Sequence, residues 1–217
     1  MPQVDNALMP SEKPLAGPER RALEMKLAGL KHAGRKAVRH SLTGLLIAFV
    51  VLCGLTLLLH DAPPLIVVSF WLATMALIGV WIAIDGYLRG RKLSLTLRRT
   101  LASGRVREVR IVASGVVEFE EESDFGAYYA FQIADDRIVF IWGQEFYATS
   151  KFPNSDFALI DVLDPDGERV DFFIRKSGQK LEPIRTIPVD VQRRLQLPEH
   201  LRVMEGKLAQ LERLLAA

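Results

Sequence analysis

LTGLLIAFVVLCGLTLLL, residues 42–59, and LIVVSFWLATMALIGVWIAI, residues 65–84, decide how this chain is to be read. Neither stretch carries a charged side chain. At about 1.5 Å of rise per residue, a helix over the first covers roughly 27 Å, close to the ~30 Å hydrocarbon core of a bilayer. Runs this long and uniformly apolar lack the polar face that an amphipathic core helix needs. The pair predicts two transmembrane helices, over 42–60 and 65–85. Only His60, Asp61, Ala62, Pro63 and Pro64 fall between the apolar runs. The prolines lack N–H donors and restrict their neighbours, which suits an abrupt stop between helices. A connection so short makes the helices antiparallel and puts both flanks on one side.

Charge gives that side. Residues 19–110 hold 15 Lys and Arg against 5 Asp and Glu, and residues 111–191 hold 7 against 16. The overall charge of +2 hides this split. Basic residues flank both apolar runs, while the short connection has none. The positive-inside bias therefore predicts a multi-pass protein of the inner (cytoplasmic) membrane with both termini in the cytoplasm. Arg35, Lys36, Arg39, Arg89, Arg91 and Lys92 are candidate contacts to anionic inner-leaflet head groups. These residues hug the apolar runs, lack interleaved aromatics and adjoin an acidic region, so nucleic acid is not an expected partner.

Inside the spans, Gly44 and Ala48, Ser69 and Ala73, and Gly79 and Ala83 have the small-x-x-x-small spacing that permits close helix approach. Cys53, the single cysteine, lies in the first run; this excludes an intrachain disulfide and cysteine-based zinc sites. A thiol in lipid is a poor nucleophile. His60, Asp61 and Asp85 sit at the span ends, which gives little basis for an ion pathway.

Working outward, residues 1–18 contain four prolines and few large apolar residues and read as a disordered tail. Residues 19–41 read as a basic cytoplasmic helix, either lying on the inner leaflet or extending the first span into solvent. Residues 86–104 read as a basic juxtamembrane helix or linker, with Leu93, Leu97 and Leu101 recurring every fourth position.

From residue 105 the apolar period shifts towards two. Strands are expected over 106–112, 116–120, 128–133, 138–142, 159–163 and 170–174. Asp135-Asp136 marks a tight hairpin, and Asp164-Pro165-Asp166-Gly167 a type I turn with a glycine bulge. The fold class is thus an α+β membrane protein: a two-helix hairpin, then a small antiparallel β-barrel or sandwich over 105–187, then a C-terminal helix over 198–216. In that last segment Leu201, Met204, Leu208, Leu211 and Leu215 repeat at heptad spacing. They form either a seam for self-association or partner binding, or a face that caps the strand domain.

The acidic run Glu120, Glu121, Glu122 and Asp124 reads as a solvated strand end or as a contact for a basic partner. Asp164, Asp166 and Glu168 have calcium-like spacing but fall short of a binding loop. No catalytic motif, metal-ligand cluster or nucleotide-binding loop stands out, so no catalytic, cofactor or metal residue is assigned.

The order of elements over 42–216, with FQIADDRIVFIWGQEFY at 131–147, resembles bacterial two-span membrane proteins that carry a pleckstrin-homology-like (YcxB-like) cytoplasmic domain. The resemblance implies a scaffold for binding or regulation, without catalytic residues. The expected role is a membrane-anchored interaction or regulatory module, homo-oligomeric or bound to a protein partner. The alternatives are a structural subunit of a larger membrane complex and a membrane-surface enzyme built from dispersed residues such as Asp135, Glu145 and His200.

Overall fold

The structure, a computed structural model, describes residues 8–59, 63–122 and 126–216, without the side chains of residues 31–42, 57 and 59. The chain is of mixed α+β class and divides into two compact units.

The helical unit holds α1 (Gly17–Leu59) and α2 (Pro64–Ser103), together with the turn near residues 163–170. Proline at the first helical position opens α2, where its missing N–H costs nothing. Gly104 ends it in the left-handed region, at φ 59°, and returns its N–H to Thr100 O at 2.9 Å. The helices run antiparallel and touch: Trp71 Nε1 donates to Thr56 Oγ1 at 3.0 Å, and Gly79 lies against Leu45. The segments expected as separate pieces at 19–41 and 86–104 are continuous with the apolar stretches as single helices of 43 and 40 residues.

Two helices of spanning length were expected; one is found among the described residues. It is α2, long and apolar enough to cross a membrane, and only 6% of its most apolar window is buried. In α1 the apolar run is Thr43–Thr56, about 21 Å of helix, shorter than a bilayer core.

The β unit contains two sheets, of strand orders β1-β2-β6-β7 and β8-β3-β4-β5-β9. Their strands are β1 (Ser11–Pro14), β2 (Arg105–Val112), β3 (Gly115–Phe119), β4 (Ala127–Ala134), β5 (Arg137–Gly143), β6 (Asp156–Leu163), β7 (Arg169–Lys176), β8 (Thr186–Ile187) and β9 (Val203–Glu205). All six expected strands form. The sheets stay separate, so the barrel alternative is not realised. Val109, Ile111, Phe157 and Leu159 of one sheet share a core with Tyr129, Phe131, Val139 and Ile141 of the other.

β4 and β5 pair antiparallel across the Asp135-Asp136 turn, with a bulge near Gln132. At the second turn, Asp164 Oδ1 accepts the N–H groups of Asp166 and Glu168, both at 2.9 Å, and Gly167 takes φ 87°. That carboxylate closes its own turn.

Two expected segments are corrected. The tail over 1–18 is not structureless throughout: Ser11–Pro14 forms β1, and Lys13 Nζ reaches the buried Glu108 carboxylate at 2.6 Å. Residues 1–7 lie outside the described residues. The helix expected over 198–216 is instead a chain of short pieces, β9, a 3₁₀ turn at Leu208–Gln210 and α4 (Leu211–Leu215). A register of β9 against β5, with Ile138 opposite Met204, competes with helix formation and wins. Gly206, at φ 144°, breaks the segment after it.

Candidate functional site: an acidic cleft on the sandwich

Five separated segments among the described residues of the β unit line an open cleft of about 370 Å³. After β3 the chain carries Glu120, Glu121 and Glu122 along one wall. Tyr128 of β4 and Trp142 of β5 sit opposite one another in the strand register and supply ring surface. Gln192, at the end of α3 (Val189–Gln192), together with Leu197, Pro198 and Glu199, completes the lining.

Backbone proximity shapes this end of the sheet. Gly126, at φ 90°, packs against the Gly143 backbone so closely that a Cβ there would collide with it. Tyr128 is fixed by edge-on packing against Phe119, centroids 4.9 Å apart, and by donating its hydroxyl to Pro198 O at 2.6 Å. Burial pushes the Tyr128 phenol well above its usual range. It remains a neutral donor and a wall of the cleft, not an acid. Trp142 is 40% exposed, and its backbone N–H donates to His200 Nδ1 at 3.2 Å.

The carboxylates are only partly occupied. Glu120 accepts the Val189 N–H at 3.1 Å, Glu121 accepts the Tyr147 hydroxyl at 2.6 Å, and Glu122 pairs with Arg193 at 2.6 Å. Glu199 stands beside them as a fourth carboxylate. Gln192 is 9% exposed, and its buried Oε1 has no hydrogen-bond partner among the described residues. A buried amide oxygen left unpaired costs about 1–3 kcal/mol, so an uncompensated one beside a cavity is notable.

The residues singled out in the sequence fall elsewhere. Arg89, Arg91 and Lys92 are exposed on α2, where Arg89 pairs with Asp85 at 2.9 Å. Arg35, Lys36 and Arg39 belong to α1, but their side chains lie outside the described residues. Leu208, Leu211 and Leu215 are buried with Val117, Phe119, Ala130, Ile138 and Phe140, and Met204 packs against the same cluster. Leu201 packs instead against the core between the sheets. The heptad seam is therefore divided between two cores, and most of it covers the strand unit.

Asp135, Glu145 and His200 do not line the acidic cleft. Asp135 borders a separate depression with Ser114, Gly115, Gln132, Ile184 and Lys207. His200 is turned to the rings of Trp142 and Phe146. Of the cleft, only the glutamate run was visible in the sequence; Asp124, counted with it, lies outside the described residues. Tyr128, Trp142, Gln192 and Glu199 carry no local motif, because strand pairing and the return of residues 189–199 bring them together. No family model matches the chain, and no curated protein or solved structure matches it either.

Proposed function

We propose that this protein is a membrane-anchored binding module without catalytic activity, its helices embedded in the inner membrane and its β-sandwich presented to the cytoplasm. The observation that carries this reading is the uncovered apolar surface of α2. Leu65, Ile66, Phe70, Leu72, Leu77 and Trp81 are all at least 60% exposed. Leaving six such side chains in water costs on the order of 10 kcal/mol, which lipid contact removes. Leu46, Ile47, Val50 and Val51 of α1 are exposed in the same way. The antiparallel α1–α2 contact supports a two-helix insertion in which α1 enters less deeply or with local thinning of the bilayer.

A helix of 40 residues is about 60 Å long, twice the hydrocarbon thickness. The remainder of α2 carries Arg89, Arg91, Lys92, Arg98 and Arg99, which supports its emergence on the anionic inner face. Binding, not chemistry, is favoured for the β unit because its cleft lines up fixed acceptors and rings.

Alkaline washing of membranes from expressing cells tests the anchor. The full chain is expected in the pellet, released only by detergent, with a C-terminal reporter reading as cytoplasmic. Recovery in the wash ends the membrane reading; a reporter facing outward reverses the orientation.

A further inference from the structure

We propose that the acidic cleft binds an organic cation, a guanidinium or primary ammonium carried on an apolar stem. The proposal rests on the binding-module reading and assigns that module a ligand chemistry.

Three features converge. The first is charge: Glu120, Glu121, Glu122 and Glu199 line one cavity, and among the described residues Arg193 pairs with Glu122. The hydrogen bonds from Val189, Tyr147 and Arg193 each occupy a single carboxylate oxygen. The other oxygens accept no bond among the described residues and are available to N–H donors. The second is Gln192, which lines the cavity while its Oε1, shielded from solvent, lacks a donor among the described residues. Leaving such an acceptor unpaired is unfavourable, and the cavity that Gln192 lines gives a donor-bearing ligand room beside it. The third is shape. Tyr128, Trp142, Leu197 and Pro198 give an apolar flank that suits an aliphatic stem, and the exposed Trp142 ring can face a cation.

Together these select against other ligands. Phosphates and carboxylates meet like charge on every acidic wall. A strongly hydrated metal ion would gain nothing from two rings, a leucine and a proline. A guanidinium is planar, rich in donors and weakly hydrated, and matches carboxylates two bonds at a time. The volume of about 370 Å³ admits a side-chain-sized group with room to spare.

Calorimetric titration of the full chain in non-ionic detergent provides the test. The probes are agmatine, a blocked tripeptide with central arginine, and the same tripeptide with neutral citrulline. A charged probe is expected to bind, to weaken with added salt, and to exceed the citrulline peptide clearly. Replacing Glu121→Gln and Glu199→Gln together is expected to weaken it roughly tenfold, since charge-assisted bonds become neutral ones. Glutamine keeps an acceptor for Tyr147, and an unchanged thermal melt of the double variant confirms folding. Agmatine binding with a silent peptide identifies a small free cation; the reverse identifies an arginine side chain of a partner protein. The proposal is overturned if neither charged probe exceeds citrulline, or if the double variant binds as tightly as the parent. Cation binding by a chain that washes off membranes removes the anchor and keeps the site; retention without binding does the opposite.

Discussion

Asn154 is 1% exposed, yet every polar atom of its side chain is engaged. Nδ2 donates to Lys151 O and Gly178 O at 3.0 and 3.1 Å, while Oδ1 accepts from Asp156 N and Gly178 N, both at 3.0 Å. It ties the entry of β6 to the loop after β7. Asn154→Ala leaves those backbone groups buried without partners and is expected to cost about 2–4 kcal/mol of unfolding free energy in a denaturant titration. Two residues on, Arg110 grips Asp156 through two bonds of 2.9 and 2.6 Å. The hydrogen bonds from that guanidinium hold the Asp156 carboxyl below its ordinary value. A depressed folded-state value means stability present above the unfolded pKa of about 4 and lost as pH falls through the folded one. Asp156→Asn should therefore lower the melting temperature slightly at neutral pH, and the gap to the parent should close under strong acid. A gap that persists there would assign the loss to packing. Neither residue advertised this in the sequence. Asn154 reads as loop punctuation, and the Arg110 alternation shows only that its side chain leaves the core.

At the scale of elements, β4 and β5 explain why the C-terminal segment folds as it does. Tyr129, Phe131, Val139 and Ile141 enter the core between the sheets, while Ala130, Ile138 and Phe140 enter a second core on the opposite face. A strand buried on both sides shows a continuous apolar run in place of alternation. AYYAFQI and RIVFIW have that character, so a cover over the outer face was legible, though not its identity. The cover is made by Ile187, Leu208, Leu211 and Leu215. Gln132 fastens it, with Oε1 accepting Leu208 N at 2.8 Å and Nε2 donating to Gly206 O at 3.1 Å. Heptad spacing suggested one helix, but the sheet edge at β5 offered backbone partners that a helix would have forfeited. Leu211→Ala, at a fully buried position, is expected to lower unfolding free energy by about 2–4 kcal/mol with no change in oligomeric state by light scattering. A change of assembly at unaltered stability would return the leucines to an association role.

For the whole molecule, the two units meet different solvents under the proposed reading. Apolar side chains of the β unit close over one another, and those of α2 do not. That contrast follows from composition: residues 65–84 have no polar face to turn outward, whereas each strand shares its apolar residues with a covering layer. The same division separates charge, with the basic excess beside the apolar helices and the acidic excess on the sandwich. Under that reading, an acidic, ring-lined cleft would repel anionic head groups and favour cations.

The sequence by itself determined what depends on neighbours along the chain. Two charge-free runs, the strand periods from 106 onward and the hairpin turns at 135–136 and 164–167 are all local properties of spacing and backbone preference. Tertiary structure decided what depends on competition between distant segments. It drew Ser11–Pro14 into a sheet, divided the leucine heptad between two cores and set Gln192 beside three glutamates about 70 residues away. Such choices turn on the free energy of burying one face against another, which no short window of sequence contains.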